Sequence, residues 1–249
     1  MNKTFLITIG AVVIIFGGVF AYQYFGAQKD SVQNINQIVQ SISEGCKIQP
    51  YNKSSLESGT IEADVRGGAI CKFTINKNLP EYTFHLVGNL ELNTIDSIEI
   101  YKGSEDMINQ TLKTSAGETS PKNTKFFDAE DINFDGYKDI KLMSWWGVTG
   151  NTGYDYWLFN SKDNTFVYSK ELSELSSLIP HPETKTITSH SNSSAVAYHD
   201  ETYKFDENGK LILIHSFNQD SSDFESCTQT TSDLVNGKMV TNTKTINCQ

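Results

Sequence analysis

The chain has 249 residues, a net charge of −10 and 11% aromatic residues. That length holds one ordinary domain with a proper core, plus appendages. Lys and Arg are not clustered, and the absence of a basic face to neutralise phosphates argues against nucleic acid as a partner. An acidic chain suits a partner with a basic face instead.

The N-terminus carries an apolar run. Lys3 is followed by apolar sequence from Phe5 to Ala21, and no further charge occurs before Lys29. As helix the run measures about 25 Å, slightly short of a hydrocarbon core of about 30 Å. Tyr22, Tyr24 and Phe25 follow at positions suited to a membrane interface. Two readings stand side by side. A cleaved signal peptide uses Val19-Phe20-Ala21, whereas an uncleaved anchor uses the whole run, which exceeds the usual apolar segment of a signal peptide. Both readings export the remainder, so residues 1–27 are a signal anchor or signal peptide. The rest is expected to be periplasmic or otherwise extracytoplasmic, anchored in the inner membrane or secreted after cleavage.

Residues 28–69 read as a helical and loop linker. Val32, Ile35, Ile38, Val39 and Ile42 recur at helical spacing behind Asp30 or Ser31 as a cap. This predicts a short N-terminal helix, either linking membrane to body or lying on the core. The polar stretch 49–60, with Pro50, Asn52 and Gly59, reads as a loop. Residues 70–249 read as strands. Period-two alternation marks 71–75, 82–87 and 97–101, and later 140–145, 154–159 and 165–168. Residues 171–178 allow one or two helical turns. Tyr203 to Phe205 and Leu211 to Ile214 flank Glu207-Asn208-Gly209-Lys210, a hairpin signal. The predicted fold class is all-β, a mostly antiparallel sandwich- or propeller-like body.

Cys46, Cys71, Cys227 and Cys248 make an even count in the exported part, which predicts disulfides. Three pairings are possible, and Cys46–Cys71 with Cys227–Cys248 is favoured. The segment after Cys227 reads as a hairpin around Asn236-Gly237-Lys238. A type II′ turn centred on Gly237 and Lys238 sets Cys227 directly opposite Cys248; a type I′ turn on Asn236 and Gly237 offsets them by one diagonal. Closing such a loop contributes roughly 3 kcal/mol in the chain-entropy treatment.

The stretch Asp131-Ile132-Asn133-Phe134-Asp135-Gly136-Tyr137-Lys138-Asp139 is D-x-N-x-D-G-x-x-D. Asp131, Asn133 and Asp135 supply alternate oxygen ligands, Gly136 permits the sharp turn, Tyr137 offers a backbone carbonyl, and Asp139 a further carboxylate. An EF-hand would place Glu where Leu142 stands and would continue as helix, so this is a shorter loop within a β-hairpin, of the FG-GAP type. Asp128, Glu130, Asp131, Asp135 and Asp139 crowd together against Lys138 alone, and such carboxylates repel one another unless neutralised. A structural Ca2+ is the expectation, steadying the glycine-rich loop 147–154. The competing reading is a solvated Asn/Asp/Gly turn without metal.

Around this loop the chain resembles the periplasmic lysozyme-inhibitor-like proteins, including i-type lysozyme inhibitors and immunity proteins against lysozyme-like effectors of type IV secretion systems. The resemblance rests on Ile98-Glu99-Ile100-Tyr101, Asn109-Gln110-Thr111-Leu112, the 129–140 block, Tyr156-Trp157-Leu158-Phe159-Asn160 and Thr165-Phe166-Val167-Tyr168, in that order. It covers residues 95 to 217. It implies inhibition of a lysozyme-like, peptidoglycan-cleaving glycosidase by a loop that enters its cleft. In the i-type inhibitors that loop carries Ser-Gly-x-Tyr. Here Thr152-Gly153-Tyr154 lacks the intervening residue and has Thr for Ser. The expected partner-binding residues are Tyr154, with Thr152, Gly153 and Trp146 beside it. At period two, about half of the neighbouring aromatics must instead be core.

The alternative function is a calcium-dependent envelope module that binds glycan or protein without inhibiting anything. Nothing reads as an enzyme. There is no G-x-S-x-G and no H-E-x-x-H, and His85, His181, His190, His199 and His215 are scattered.

Overall fold

The computed structural model describes residues 46–50, 67–89, 94–104, 107–114, 126–221 and 225–248. The expected leader and the helix after it lie outside these residues. No helix among the described residues is long and apolar enough to cross a membrane.

All strand pairings among the described residues are antiparallel, in three meander sheets whose strand order follows the chain. Sheet A holds β1 (Cys46–Pro50), β2 (Gly67–Phe73), β3 (Tyr82–Asn89), β4 (Thr94–Lys102) and β5 (Gln110–Lys113). Sheet B holds β6 (Phe127–Glu130), β7 (Asp139–Trp146), β8 (Thr152–Asn160) and β9 (Thr165–Tyr168). Sheet C holds β10 (Ile179–His181), β11 (Thr186–Asn192), β12 (Tyr198–Phe205), β13 (Leu211–Ser221), β14 (Ser226–Val235) and β15 (Lys238–Asn247). The all-β antiparallel expectation is met. One short helix, α1 (Lys170–Ser173), begins at Ser169, whose side chain caps the Leu172 amide.

The period-two pattern explains the core. Phe84 and Leu86 of β3 face Ile98 and Ile100 of β4, all of them buried. Sheet B turns Phe127, Ile140, Leu142, Phe159 and Phe166 into the same cluster. Rings join the two sheets: Phe84 lies 5.7 Å from Phe127 and 5.5 Å from Phe166, and Tyr82 meets Phe159 edge-on at 5.9 Å. The Gln110 side chain adds a polar stitch, donating to Phe166 O (2.8 Å) and accepting from Phe166 N (2.9 Å).

A bulge at Val87/Gly88 leaves Asp96 without a partner on β3 and lets Ile95 and Ile98 both turn inward. Gly88 is obligatory there. A Cβ on it would lie 2.0 Å from Thr94 O and 2.7 Å from Ile95 Cα, both backbone atoms. Gly88→Ala is expected to cost about 1–3 kcal/mol as an overpacked backbone contact. Chemical denaturation reads it, and an unshifted midpoint would contradict this account.

The two disulfides are Cys46–Cys71 and Cys227–Cys248, with no free cysteine. They fit an oxidising, extracytoplasmic compartment. The geometric route to the second pairing needs correction. Val235 pairs with Lys238, and Asn236 and Gly237 sit at φ 50° and 76°. The turn is therefore the type I′ Asn-Gly turn, whose twist matches that of the flanking strands. Cys227 faces Ile246, and the bridge reaches diagonally to Cys248 with Cα atoms 5.0 Å apart. The loop expected over 49–60 is also shortened, because Gln49 and Pro50 belong to β1. Pro50 is tolerated on that edge strand, where one side needs no ladder bond.

Candidate functional site

Two features sit at opposite ends of β7. The acidic loop 131–139 enters the strand, and the glycine-aromatic hairpin leaves it. Asp139 and Trp146 lie seven positions apart at the two ends of the strand, about 23 Å. The acidic loop, expected to steady the hairpin tip, thus lies at the far end of the strand from it, where its contacts fasten the end of sheet A to sheet B.

Within the acidic loop, Asp131 Oδ1 and Asn133 Oδ1 both accept from the Asp135 amide at 3.1 Å. Asp131 Oδ2 accepts from Gly136 N (2.9 Å), Asp135 Oδ1 from Tyr137 N (2.9 Å), and Asn133 Nδ2 donates to Asp135 Oδ2 (3.1 Å). Phe134 (φ 63°) and Gly136 (φ 90°) make the reversal. The Asn76 side chain donates to Gly136 O (2.8 Å), and Lys138 N to Ile75 O (2.9 Å), fastening the loop to the end of sheet A. Tyr137 stacks on Phe159 at 5.4 Å.

Asp139 differs from the others. It is fully buried. Its Oδ2 accepts from Ile132 N (2.9 Å) and Asn133 N (3.3 Å), and its Oδ1 from Phe159 N (2.8 Å). Burial pushes its carboxyl up to about 7, opposed by those three bonds, while Asp135 adds repulsion. Burial likewise raises Asp131, with Asp135 contributing.

Asp131 Oδ1 and Asn133 Oδ1 meet at the Asp135 amide, and carboxylate, amide and carbonyl oxygens suit a hard cation. Among the described residues no group of three or more His, Cys, Asp or Glu is placed to hold a metal. A cation here therefore depends on Asn133 and the Tyr137 carbonyl as well as on Asp131 and Asp135. Asp139, with both oxygens turned onto backbone amides, serves first as a structural anchor.

The hairpin tip is built differently. At a bulge between Met143 and Trp145, Ser144 is the extra residue, which sets Trp145 opposite Gly153 and Trp146 opposite Thr152. The Trp145 indole lies against Gly153, where a Cβ would collide with Nε1, Cε2 and Cδ1 of the ring. Trp145 is 43% exposed, Trp146 47% and Val148 98%. Gly147 N donates to Asn151 O (2.8 Å), closing the loop, and Gly150 takes φ 85°.

Tyr154 lies inside the sheet, 9% exposed. It packs 6.1 Å from Tyr156, with Lys141 Nζ 5.4 Å above its ring and Lys141 itself paired to Glu130. Burial, then Asp128 and Glu130, push its hydroxyl up to about 12. Thr152 and Gly153 form the first residues of β8, and Trp146 the last of β7. The structure thus brings exposed Trp146 and half-buried Thr152 together at the tip, with Gly153 buried under the Trp145 ring and Tyr154 buried within the sheet. Val148 is a surface residue that pattern reading passed over, and Trp145, read only as one of the aromatics flanking the loop, is exposed as well. The signal was available: Trp145-Trp146 directly before a glycine-bounded turn breaks the alternation that would bury one of them.

No protein-family model matches the chain, and no curated protein matches it. A solved structure described as that of a Xanthomonas type IV secretion system related protein is similar at 18% identity, covering 80% of this chain and 100% of that chain, with a TM-score of 0.45. A likeness at that level carries no weight for function.

Proposed function

We propose that this is an exported, calcium-braced binding protein that inhibits a lysozyme-like peptidoglycan hydrolase, in a lysozyme-inhibitor or immunity role. The observation that carries the reading is the tip of the β7–β8 hairpin, where Trp145, Trp146 and Val148 stand exposed on a closed turn. Large aromatic anchors of this kind dominate protein interfaces. Residues 145–153 carry no charged side chain, so the tip can approach the paired carboxylates of a glycosidase cleft without like-charge repulsion. Both indole N–H groups are donors that a carboxylate can accept. The resemblance in block order supports the same reading. In it, Trp146 and Trp145 make the contact, Thr152 and Gly153 shape its base, and Tyr154 supports from beneath.

The second reading, a glycan- or protein-binding module without inhibitory action, is favoured by one feature of sheet C. Half-exposed His190, Tyr198 and Phe217 form a strip of rings across β11, β12 and β13, spaced 6.1 and 5.6 Å.

One assay separates the two. Protein from about Gln28 onward is titrated into muramidase digestion of cell walls, with and without calcium. Inhibition strengthened by calcium is expected; no inhibition of any lysozyme class would leave the binding module. The cation itself has a separate test. Calcium at about 100 times its dissociation constant should stabilise the fold by about 2.7 kcal/mol, and Asp131→Ala should abolish that gain. Melting unchanged by calcium, and titration calorimetry without heat, would remove the ion from the picture.

A further inference from the structure

We infer that the turn between β11 and β12, residues 192–197, forms the second half of the contact surface, held in register with the tryptophan hairpin by Asn151. The inference rests on the inhibitor reading for its partner, a glycosidase, but its geometry is independent of it.

The link is a reciprocal amide pair. Asn151 Nδ2 donates to Asn192 O (2.9 Å), and Asn192 N donates to Asn151 Oδ1 (2.8 Å). The side chain thereby behaves as one more peptide unit laid along the end of β11. Two bonds with opposed directions fix both position and orientation, which a single bond would not. A second reciprocal pair lies one residue on. Ser177 N donates to Thr152 O (2.7 Å), and Thr152 N to Ser177 Oγ (3.1 Å). Next to it, Ser176 O accepts from His190 N (3.0 Å) and Ser189 Oγ (2.9 Å), so the same short segment ties β8 to β11.

The turn is stiff in its own right. Ser193 N and Ser194 N both donate to Ala197 O, at 2.9 and 3.1 Å. Val196 O accepts from Gln219 Nε2 (2.9 Å), and buried Gln219 accepts in turn from Gln229 Nε2 (2.7 Å). Cys227 Sγ lies 3.8 Å from the same carbonyl, which sets the Cys227–Cys248 bridge beneath the turn. Ser193 and Ala195 are exposed, and residues 191–198 carry no charge. The turn therefore continues the uncharged character of the tip. Two loops docked in advance lose little freedom on binding, whereas loose side chains would forfeit rotamer freedom at the contact.

The test uses the full exported chain against a muramidase that it inhibits. Ala195→Arg, at an exposed position, should weaken inhibition at least tenfold with an unchanged melting temperature. Asn151→Ala should weaken it comparably and speed amide exchange in residues 147–150 and 193–197 together. Asn151→Asp, which keeps the acceptor for Asn192 N but loses the donor, should fall between. Inhibition unaffected by Ala195→Arg overturns the surface while leaving the inhibitor reading intact. Faster exchange at 147–150 alone overturns the coupling. A wild-type protein that inhibits no muramidase ends the proposed function, and the partner assigned to this surface with it.

Discussion

Asp139→Ala should cost about 3 kcal/mol of folding stability, measured in chelator so that no cation contributes. Truncation leaves the amides of Ile132, Asn133 and Phe159 without their acceptor, and each buried donor so orphaned costs about 1–3 kcal/mol. Part of that is recovered, because burial already disfavours the ionised carboxylate, as its rise to about 7 shows. For a chain of this size each kcal/mol shifts the melting temperature by about 2–4 °C, so a drop near 10 °C is expected. Asp135→Ala is the control. Its bonds are exposed, and without calcium it should change stability by less than about 1 kcal/mol. Equal losses in the two variants would contradict the division of the loop into an anchor and a cation-facing side.

Trp146→Ala should weaken inhibition of the target hydrolase by about 30-fold or more, the effect of losing a central aromatic anchor. Its melting temperature should stay close to that of the parent, since the ring is half-exposed and ends its strand. Tyr154→Ala behaves in the opposite way. Removing a buried ring from beneath Lys141 and beside Tyr156 leaves a cavity, which costs about 3–5 kcal/mol for a large aromatic. Any fall in its inhibition should track loss of fold. A Trp146→Ala protein that inhibits as well as the parent, beside a well-folded Tyr154→Ala protein that does not, would return the contact to Tyr154.

Particular residues show how far pattern reading carries. The alternation at Tyr82, Phe84 and Leu86, and at Ile98 and Ile100, was enough to place β3 and β4, because period two is a local property of extended backbone. The cysteine pairing was reached, but through the wrong turn: Asn236-Gly237 prefers the type I′ geometry, and only the register shows Cys248 meeting Cys227 across a diagonal. β10 and β11 went unread. Ile179-Pro180-His181 and the Ser/Thr-rich β11 carry little apolar signal, and they become strands through their neighbours in sheet C.

The acidic loop was legible as a set of oxygen donors around a glycine because its residues are neighbours in sequence. Its division of labour was not. Asp139 gains its third amide from Phe159, twenty positions on, and that contact exists only once β7 lies beside β8. The same holds for the hairpin. A bulge at Ser144 sets the register in which both tryptophans stand exposed, and Tyr154 is buried on the face of the sheet that it shares with Asp128, Glu130 and Lys141.

The sequence by itself determined the all-β antiparallel class, the even set of cysteines, the donor chemistry of residues 131–139 and the presence of a glycine-bounded aromatic hairpin. Each of these follows from short-range composition and periodicity. Tertiary structure alone decided that the acidic loop and the hairpin tip lie at opposite ends of one strand, that Trp145 and Trp146 rather than Tyr154 are presented, and that Asn151 fastens the tip to Asn192. Those outcomes rest on strand register and on contacts between residues far apart in the chain, which no local pattern encodes.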